Sequence, residues 1–272
     1  MSIAHINGID IFYLTDGDPH KPAIIFSNSL GTDHSMWDGQ LEALRREFYL
    51  IRYDTRGHGL TNAPKGPYSI EQLGKDVISL LDYLSIDKAF FCGISMGGLI
   101  GQWLAIHAPK RIEALVVANT ASKIGNEQAW NERAALVRKE GLHGVAESAP
   151  SRWFTPEFYG SNRSGVNELL INLKNMNPEG YASCCEALAN EDLRGEVSKI
   201  NVPVLIISGD KDPVTTLEDA RVMQSEIQGS QITSLAASHI SNIEAESEFN
   251  VAIKQFFTKQ VKQEMETSHE SN

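Results

Sequence analysis

The sequence predicts an α/β fold: a mostly parallel eight-stranded sheet with helices on both faces and an inserted helical cap. Three observations predict it. Short, continuously apolar runs such as 22–26, 89–95 and 202–208 alternate with segments of helical period, the pattern of strands buried on both faces. The alternation stops near Ala121 and resumes near Val202. The roughly 74 residues of polar, aromatic-rich helical sequence from 122 to 195 are too long for a plain loop. Finally, a glycine-flanked serine, Gly93-Ile-Ser-Met-Gly97, stands between an apolar strand and an apolar helix.

Each element follows from its own pattern. Residues 3–14 alternate around Asn7-Gly8 and read as a hairpin, which that dipeptide favours. Pro22 to Phe26 is a buried strand, ending in Ser27-Asn-Ser-Leu-Gly-Thr-Asp33. A helix is expected from about Asp38 to Glu47, then a strand from Phe48 to Asp54 closed by Arg56-Gly-His-Gly59. Leu73, Val77, Leu80, Leu81 and Leu84 lie at helical spacing and mark one buried face. A strand at 89–95, a helix from Gly97 to His107 and a strand from Ile112 to Asn119 complete the first part. After the cap come a strand at 202–208, a helix near 216–227 and a strand at 232–237. A final amphipathic helix from near Glu244 carries Phe249, Ile253, Phe256 and Phe257. The expected division is a core of residues 1–121 and 196–260, a cap of 122–195, and a polar C-terminal tail, 261–272, expected to fray.

A net charge of −11 excludes a general nucleic-acid or anionic-membrane partner, and it obliges any anionic substrate to find a local basic patch. No apolar run reaches the length of a membrane span and no charged-then-apolar leader opens the sequence, so the expected location is the cytoplasm. Three cysteines without metal-type spacing suit a reducing compartment; Cys92, Cys184 and Cys185 read as packing residues. No metal is expected, because His5, His20, His107 and His143 show no ligand spacing. With neither a Gly-x-Gly-x-x-Gly nor a Walker pattern, no nucleotide cofactor is expected either. Oligomeric state stays open, a homo-oligomer included.

Gly-x-Ser-x-Gly between strand and helix is the nucleophile elbow of α/β hydrolases. The serine occupies a strained turn, and its glycine neighbours let strand and helix approach. Ser95 is then the nucleophile, and the Met96 N–H is free to donate to a developing oxyanion. A serine hydroxyl needs a base, and the base an orienting acid; in this fold acid and base follow the serine, each after a late strand. His239, after the 232–237 strand, is the base. Asp210 and Asp212 both follow the 202–208 strand. Asp212 lies beyond the tight Gly209 turn, where it reaches across to His239, whereas Asp210 suits capping the turn. A second oxyanion donor belongs on the loop after the 22–26 strand, where the Leu30 N–H is placed to serve; one such donor contributes about 3 kcal/mol to transition-state stabilisation. Asp54, Arg56 and His58 read as a charged turn held by an internal ion pair, with His34 near the pocket mouth.

The residues further resemble one family. Ser27 to Asp33 with Met36-Trp-Asp38, Tyr53-Asp-Thr-Arg-Gly-His-Gly59, Gly93-Ile-Ser-Met-Gly-Gly98 and Ser238-His-Ile-Ser-Asn-Ile243 resemble the 3-oxoadipate enol-lactonases. So do two cap segments, Arg152-Trp-Phe-Thr155 and Asn177-Pro-Glu-Gly-Tyr-Ala-Ser-Cys-Cys-Glu-Ala-Leu188, which are the discriminating ones. The resemblance spans nearly the whole chain. It implies Ser95, Asp212 and His239 as triad, the Leu30 and Met96 amides as oxyanion hole, and hydrolysis of an anionic enol-lactone from the β-ketoadipate route. Glu244-Ala245-Glu246 departs from relatives, which often carry Gln-Pro there; the departure is expected to touch helix-start chemistry and leave the triad undisturbed. For the substrate carboxylate, Trp130 and Arg133 share a helix face with Val137. Either Trp130 packs on the lactone while Arg133 (or Arg138) pairs with the carboxylate, or the face merely seats the cap. Rival activities on the same triad are a general carboxylesterase, a carbon–carbon bond hydrolase or perhydrolysis, and from another class a ligand receptor retaining a hydrolase fold.

Overall fold

The computed structural model describes residues 2–270. In chain order the core begins with β1 (Ser2–Ile6), β2 (Ile9–Asp16), β3 (Ala23–Ser27), α1 (Asp38–Leu44), β4 (Tyr49–Tyr53), α2 (Ile70–Tyr83), β5 (Ala89–Ile94), α3 (Met96–His107) and β6 (Ile112–Ala118). Five helices follow: α4 (Glu127–Glu140), α5 (His143–Trp153), α6 (Pro156–Ser161), α7 (Arg163–Asn175) and α8 (Pro178–Asn190). The core resumes with β7 (Val204–Gly209), α9 (Leu217–Glu226), β8 (Gln231–Leu235), α10 (Ser241–Glu244) and α11 (Glu246–Glu270).

The eight strands form one sheet in the order β1-β2-β4-β3-β5-β6-β7-β8. β1 and β2 pair antiparallel, β2 joins β4 antiparallel, and every later pairing is parallel. Asn7 and Gly8 both have positive φ, as the hairpin turn between β1 and β2 demands. Every residue of β3, β5 and β7 is buried, which is why these strands read as unbroken apolar runs. α3 is buried along nearly its whole length, so it shows no amphipathic stripe.

Chain direction along the sheet reverses between β3 and β5, the place where an open α/β sheet leaves a crevice at its carboxyl ends. The loops after β3, β5, β6, β7 and β8 all emerge on that edge, and the five inserted helices cover it. Two glycines seat the insertion. A Cβ on Gly180 of α8 would lie 2.2 Å from the Gly57 carbonyl oxygen, so backbone meets backbone there. Arg138 of α4 pairs with Glu179 and Glu186 of α8, clamping the two helices together.

Two readings change. The Arg56 guanidinium pairs with Asp76 on α2 rather than within its own turn, at 2.7 and 2.8 Å. Asp54 instead accepts from the His34 backbone and ring and from Leu60 N–H, so His34 is tied to the β4 turn. The C-terminal segment is continuous helix through Glu270 where its polarity predicts fraying; positions 271–272 lie outside the described residues.

The α4–α8 clamp makes a prediction. Arg138 holds the Glu179 carboxyl at about 2, against an ordinary value of 4.5. A carboxylate with a depressed folded-state pKa stabilises above its unfolded value and loses that contribution as pH falls towards the folded one. Thermal midpoints should therefore fall between about pH 4.5 and 2, and Arg138→Met should flatten that part of the profile. An unchanged slope in the variant would remove the clamp from the account.

Candidate active site

Ser95 follows β5 directly and has φ 55° and ψ −116°, a strained conformation for a residue with a side chain. Neighbouring contacts hold it there. Its N–H donates to the Ala118 carbonyl at 3.0 Å, and its carbonyl accepts from Thr120 Oγ1 at 2.7 Å. The flanking glycines are steric necessities: a Cβ on Gly93 would sit 2.2 Å from the Gly97 carbonyl oxygen, and one on Gly97 would sit 2.1 Å from that of Ser27. The second contact brings the loop after β3 against the start of α3, where Gly97 N–H donates to Asn28 O at 3.1 Å.

That loop is itself well anchored. The Asn28 side chain accepts from Trp37 Nε1 and donates to the Tyr53 carbonyl, at 2.9 and 3.2 Å. Gly31, at φ 84°, donates its N–H to His58 Nε2 at 3.0 Å. Burial lowers the pKa of His58, which keeps its imidazole neutral and Nε2 an acceptor. Leu30 N–H and Met96 N–H have no acceptor among the described residues.

Asp212 and His239 meet across the β7 and β8 loops, His239 Nδ1 lying 2.8 Å from Asp212 Oδ2. The carboxylate faces donors only. Oδ2 also accepts from Asn119 Nδ2 and Thr215 Oγ1, at 3.0 and 2.8 Å; Oδ1 accepts from Val214 and Thr215 N–H, at 2.8 and 3.1 Å. Burial pushes the Asp212 pKa up, but the His239 charge and these hydrogen bonds outweigh it, and the net shift is downward. Asp210 is exposed, with its N–H on the Leu235 carbonyl. Ser95 and His239 line the same pocket. No hydrogen bond joins them among the described residues, and such contacts often tighten only with substrate bound.

The pocket beneath the inserted helices is a cavity of about 170 Å³, small beside the roughly 300 Å³ at which drug-sized sites begin. Leu30, Trp130 and Arg133 all line it. The Arg133 guanidinium lies 5.1 Å from the Trp130 ring centroid, and Trp130 Nε1 donates to the Ile124 carbonyl at 2.6 Å. Arg138 is bound up with its two glutamates and is absent from the lining.

Several pocket and support residues escape sequence reasoning. Arg152 contributes a second guanidinium to the lining, bonded only to Ser148 Oγ and the Val145 carbonyl among the described residues. Burial and then the charge of Arg133 lower its pKa. Tyr181 lies beside both arginines. Asn119, with φ 44°, links Asp212 to the Ser238 carbonyl. Only the motif Arg152-Trp-Phe-Thr155 hinted at Arg152; Asn119 carries no signal beyond the tolerance of asparagine for positive φ.

Residues 22–151 match the model of the alpha/beta hydrolase fold family. Over 242 residues the chain is 52% identical to "3-oxoadipate enol-lactonase 2" of Acinetobacter baylyi, covering 89% of this chain and 91% of that protein. The chain belongs to the 3-oxoadipate enol-lactonase family. "3-oxoadipate enol-lactonase 1" of the same organism is 44% identical over 234 residues, 86% of this chain and 88% of its own. Among solved structures, the enol-lactonase from Burkholderia xenovorans LB400 superposes with a TM-score of 0.93 at 44% identity, covering 94% of this chain and all of that one. As an enol-lactonase family member the chain is a carboxylic ester hydrolase of the α/β-hydrolase type. No helix among the described residues is long and apolar enough to cross a membrane.

Proposed function

We propose that the chain hydrolyses 3-oxoadipate enol-lactone to 3-oxoadipate, with Ser95 as nucleophile, His239 as general base and Asp212 as its orienting acid. The reading is carried by one observation. The pocket that contains Ser95 and His239 is also lined by Arg133 and Arg152, and no carboxylate lines it, in a protein of net charge −11. A small anionic ester has a reason to enter such a site; a neutral ester does not.

Ser95 Oγ attacks the lactone carbonyl while His239 Nε2 takes its proton. The Leu30 and Met96 N–H groups donate to the oxyanion, and Asp212 stabilises the imidazolium through Nδ1. Collapse of the tetrahedral intermediate breaks the ring C–O bond. The leaving enolate takes the proton back from His239 and becomes a ketone, an easier departure than an ordinary alkoxide. Water, deprotonated by His239, then attacks the acyl-enzyme and releases the second carboxylate together with the free serine. Trp130 packs on the lactone ring, and Arg133, held over the Trp130 face, pairs with the existing carboxylate.

The test is a coupled assay on freshly generated enol-lactone beside a neutral aryl ester of similar size. The lactone should be strongly preferred; comparable kcat/KM for the two would favour a general carboxylesterase. Arg133→Met should raise KM for the lactone by about ten- to a hundredfold, the worth of a hydrogen bond to a charged group, with little effect on the neutral ester. An unchanged KM would remove Arg133 from the substrate site.

A further inference from the structure

Glu244 reaches closer to the catalytic machinery than helix-start chemistry would require. Glu244 ends α10, five residues after His239, and its carboxylate spans two segments of the chain. Oε2 accepts from Ser238 N–H at 2.8 Å, immediately before His239. Oε1 accepts from the Thr155 N–H at 3.1 Å and from the Thr155 hydroxyl, just after the α5 end that places Arg152 and Trp153 in the pocket wall. Two weaker ties run alongside: Ile240 N–H donates to the Trp153 carbonyl at 3.0 Å, and Ser238 Oγ to that of Arg152 at 3.4 Å.

We infer that Glu244 is a positioning residue that holds the His239 loop and the substrate-facing end of α5 in one register. The inference rests on the reading of His239 as the base. Two oxygens serve two segments, so the carboxylate is what permits the bridge. An amide in its place offers one acceptor and one donor, while the Ser238 and Thr155 N–H groups facing Glu244 can only donate. A single oxygen must then serve both, and the Thr155 N–H contact with the oxygen nearest Ser238 is already long at 3.4 Å, so the bridge weakens on one side. A shorter carboxylate would reach one segment and abandon the other. Segment 152–155 carries groups that meet substrate, and segment 238–240 carries the base. Opening the bridge therefore separates binding from proton transfer.

Glu244→Gln should lower kcat and raise KM for the lactone, each by about tenfold or more, because a small misplacement of a reacting group is costly. Thr155→Val removes the hydroxyl donor on the cap side, and with it the oxygen that caps α6 by accepting from Phe158 N–H at 3.3 Å; it should raise KM while leaving kcat within about twofold. Thermal midpoints are recorded for both, and kinetics are measured well below them. A Glu244→Gln protein that is folded and has wild-type kcat and KM overturns the inference, whatever its midpoint, since it makes the residue merely structural. Should Glu244→Gln not fold, Thr155→Val decides: a raised KM supports the bridge and an unchanged one overturns it. Ser95→Ala runs in parallel. Activity surviving there would strike at the serine-hydrolase reading itself, a result distinct from a silent Glu244→Gln.

Discussion

Replacing Ser95 with alanine is expected to reduce kcat on the enol-lactone by about a millionfold, as loss of a triad nucleophile does elsewhere. The expectation rests on how firmly the hydroxyl is presented. The backbone of Ser95 is held in a strained conformation by two hydrogen bonds and two close glycines, an arrangement with no benefit to stability. Some rate above spontaneous hydrolysis should persist, because the Leu30 and Met96 donors and the arginines would still bind the lactone. The measurement compares single-turnover rates of both proteins with the spontaneous background. Wild-type rates in the variant would defeat the mechanism. The Ser95→Ala protein should be at least as stable as wild type, since alanine relieves nothing that the core depends on.

The second large effect is expected from Asp212→Asn, at about ten-thousandfold in kcat, with the fold intact. The reason is in the hydrogen bonds. Oδ1 accepts from the backbone N–H groups of Val214 and Thr215, which cannot rotate away, so the amide oxygen of an asparagine must take that position. Its Nδ2 then turns towards His239 Nδ1 and donates to it, which drives the imidazole proton onto Nε2. An Nε2 that already carries a proton cannot accept one from Ser95. Lost activity should return in part only at high pH, where hydroxide can take the serine proton in place of the imidazole; rates equal to wild type near neutrality would show that Asp212 does not orient the base. Asn119 and Thr215 hold the same oxygen that His239 contacts, so their loss should cost less than that of Asp212.

How much of this is legible from the residues differs by element. The eight strands and their helices are, because each signal is local: continuous apolar runs for β3, β5 and β7, alternation around Asn7-Gly8 for the hairpin, and helical spacing on α2. The elbow is legible because its strand, serine, glycines and helix are adjacent in the chain. Arg56 is a contrary case. Its charge is evident, but its partner Asp76 lies on a different element, twenty residues away in sequence and fixed only by how α2 packs. Glu244 misleads in the same manner: its position in the chain suggests a helix start, while its partners are Ser238 and Thr155. Arg138 and Arg133 show the limit within one helix. They lie five residues apart on α4, yet one is neutralised by α8 and the other opens into the pocket, because five residues at about 100° each set them roughly 140° apart around the axis.

From the sequence alone come the fold class, the elbow serine, the late histidine, the preference for Asp212 over Asp210 as the acid, and the resemblance to the enol-lactonases. Hydrophobic period and short motifs encode these through interactions between residues close along the chain. Only the tertiary structure decides that Asp212 Oδ2 rather than Asp210 meets His239, that Asn119 steadies that carboxylate, that Arg152 joins Arg133 in a pocket without acids, and that Glu244 bridges cap and base loop. The Asp212–His239, Asn119–Asp212 and Glu244–Thr155 pairings join residues from 27 to 93 positions apart. Which donor a buried carboxylate finds is set by packing geometry and by the cost of leaving a polar group unpaired, and neither is written in any one stretch of residues.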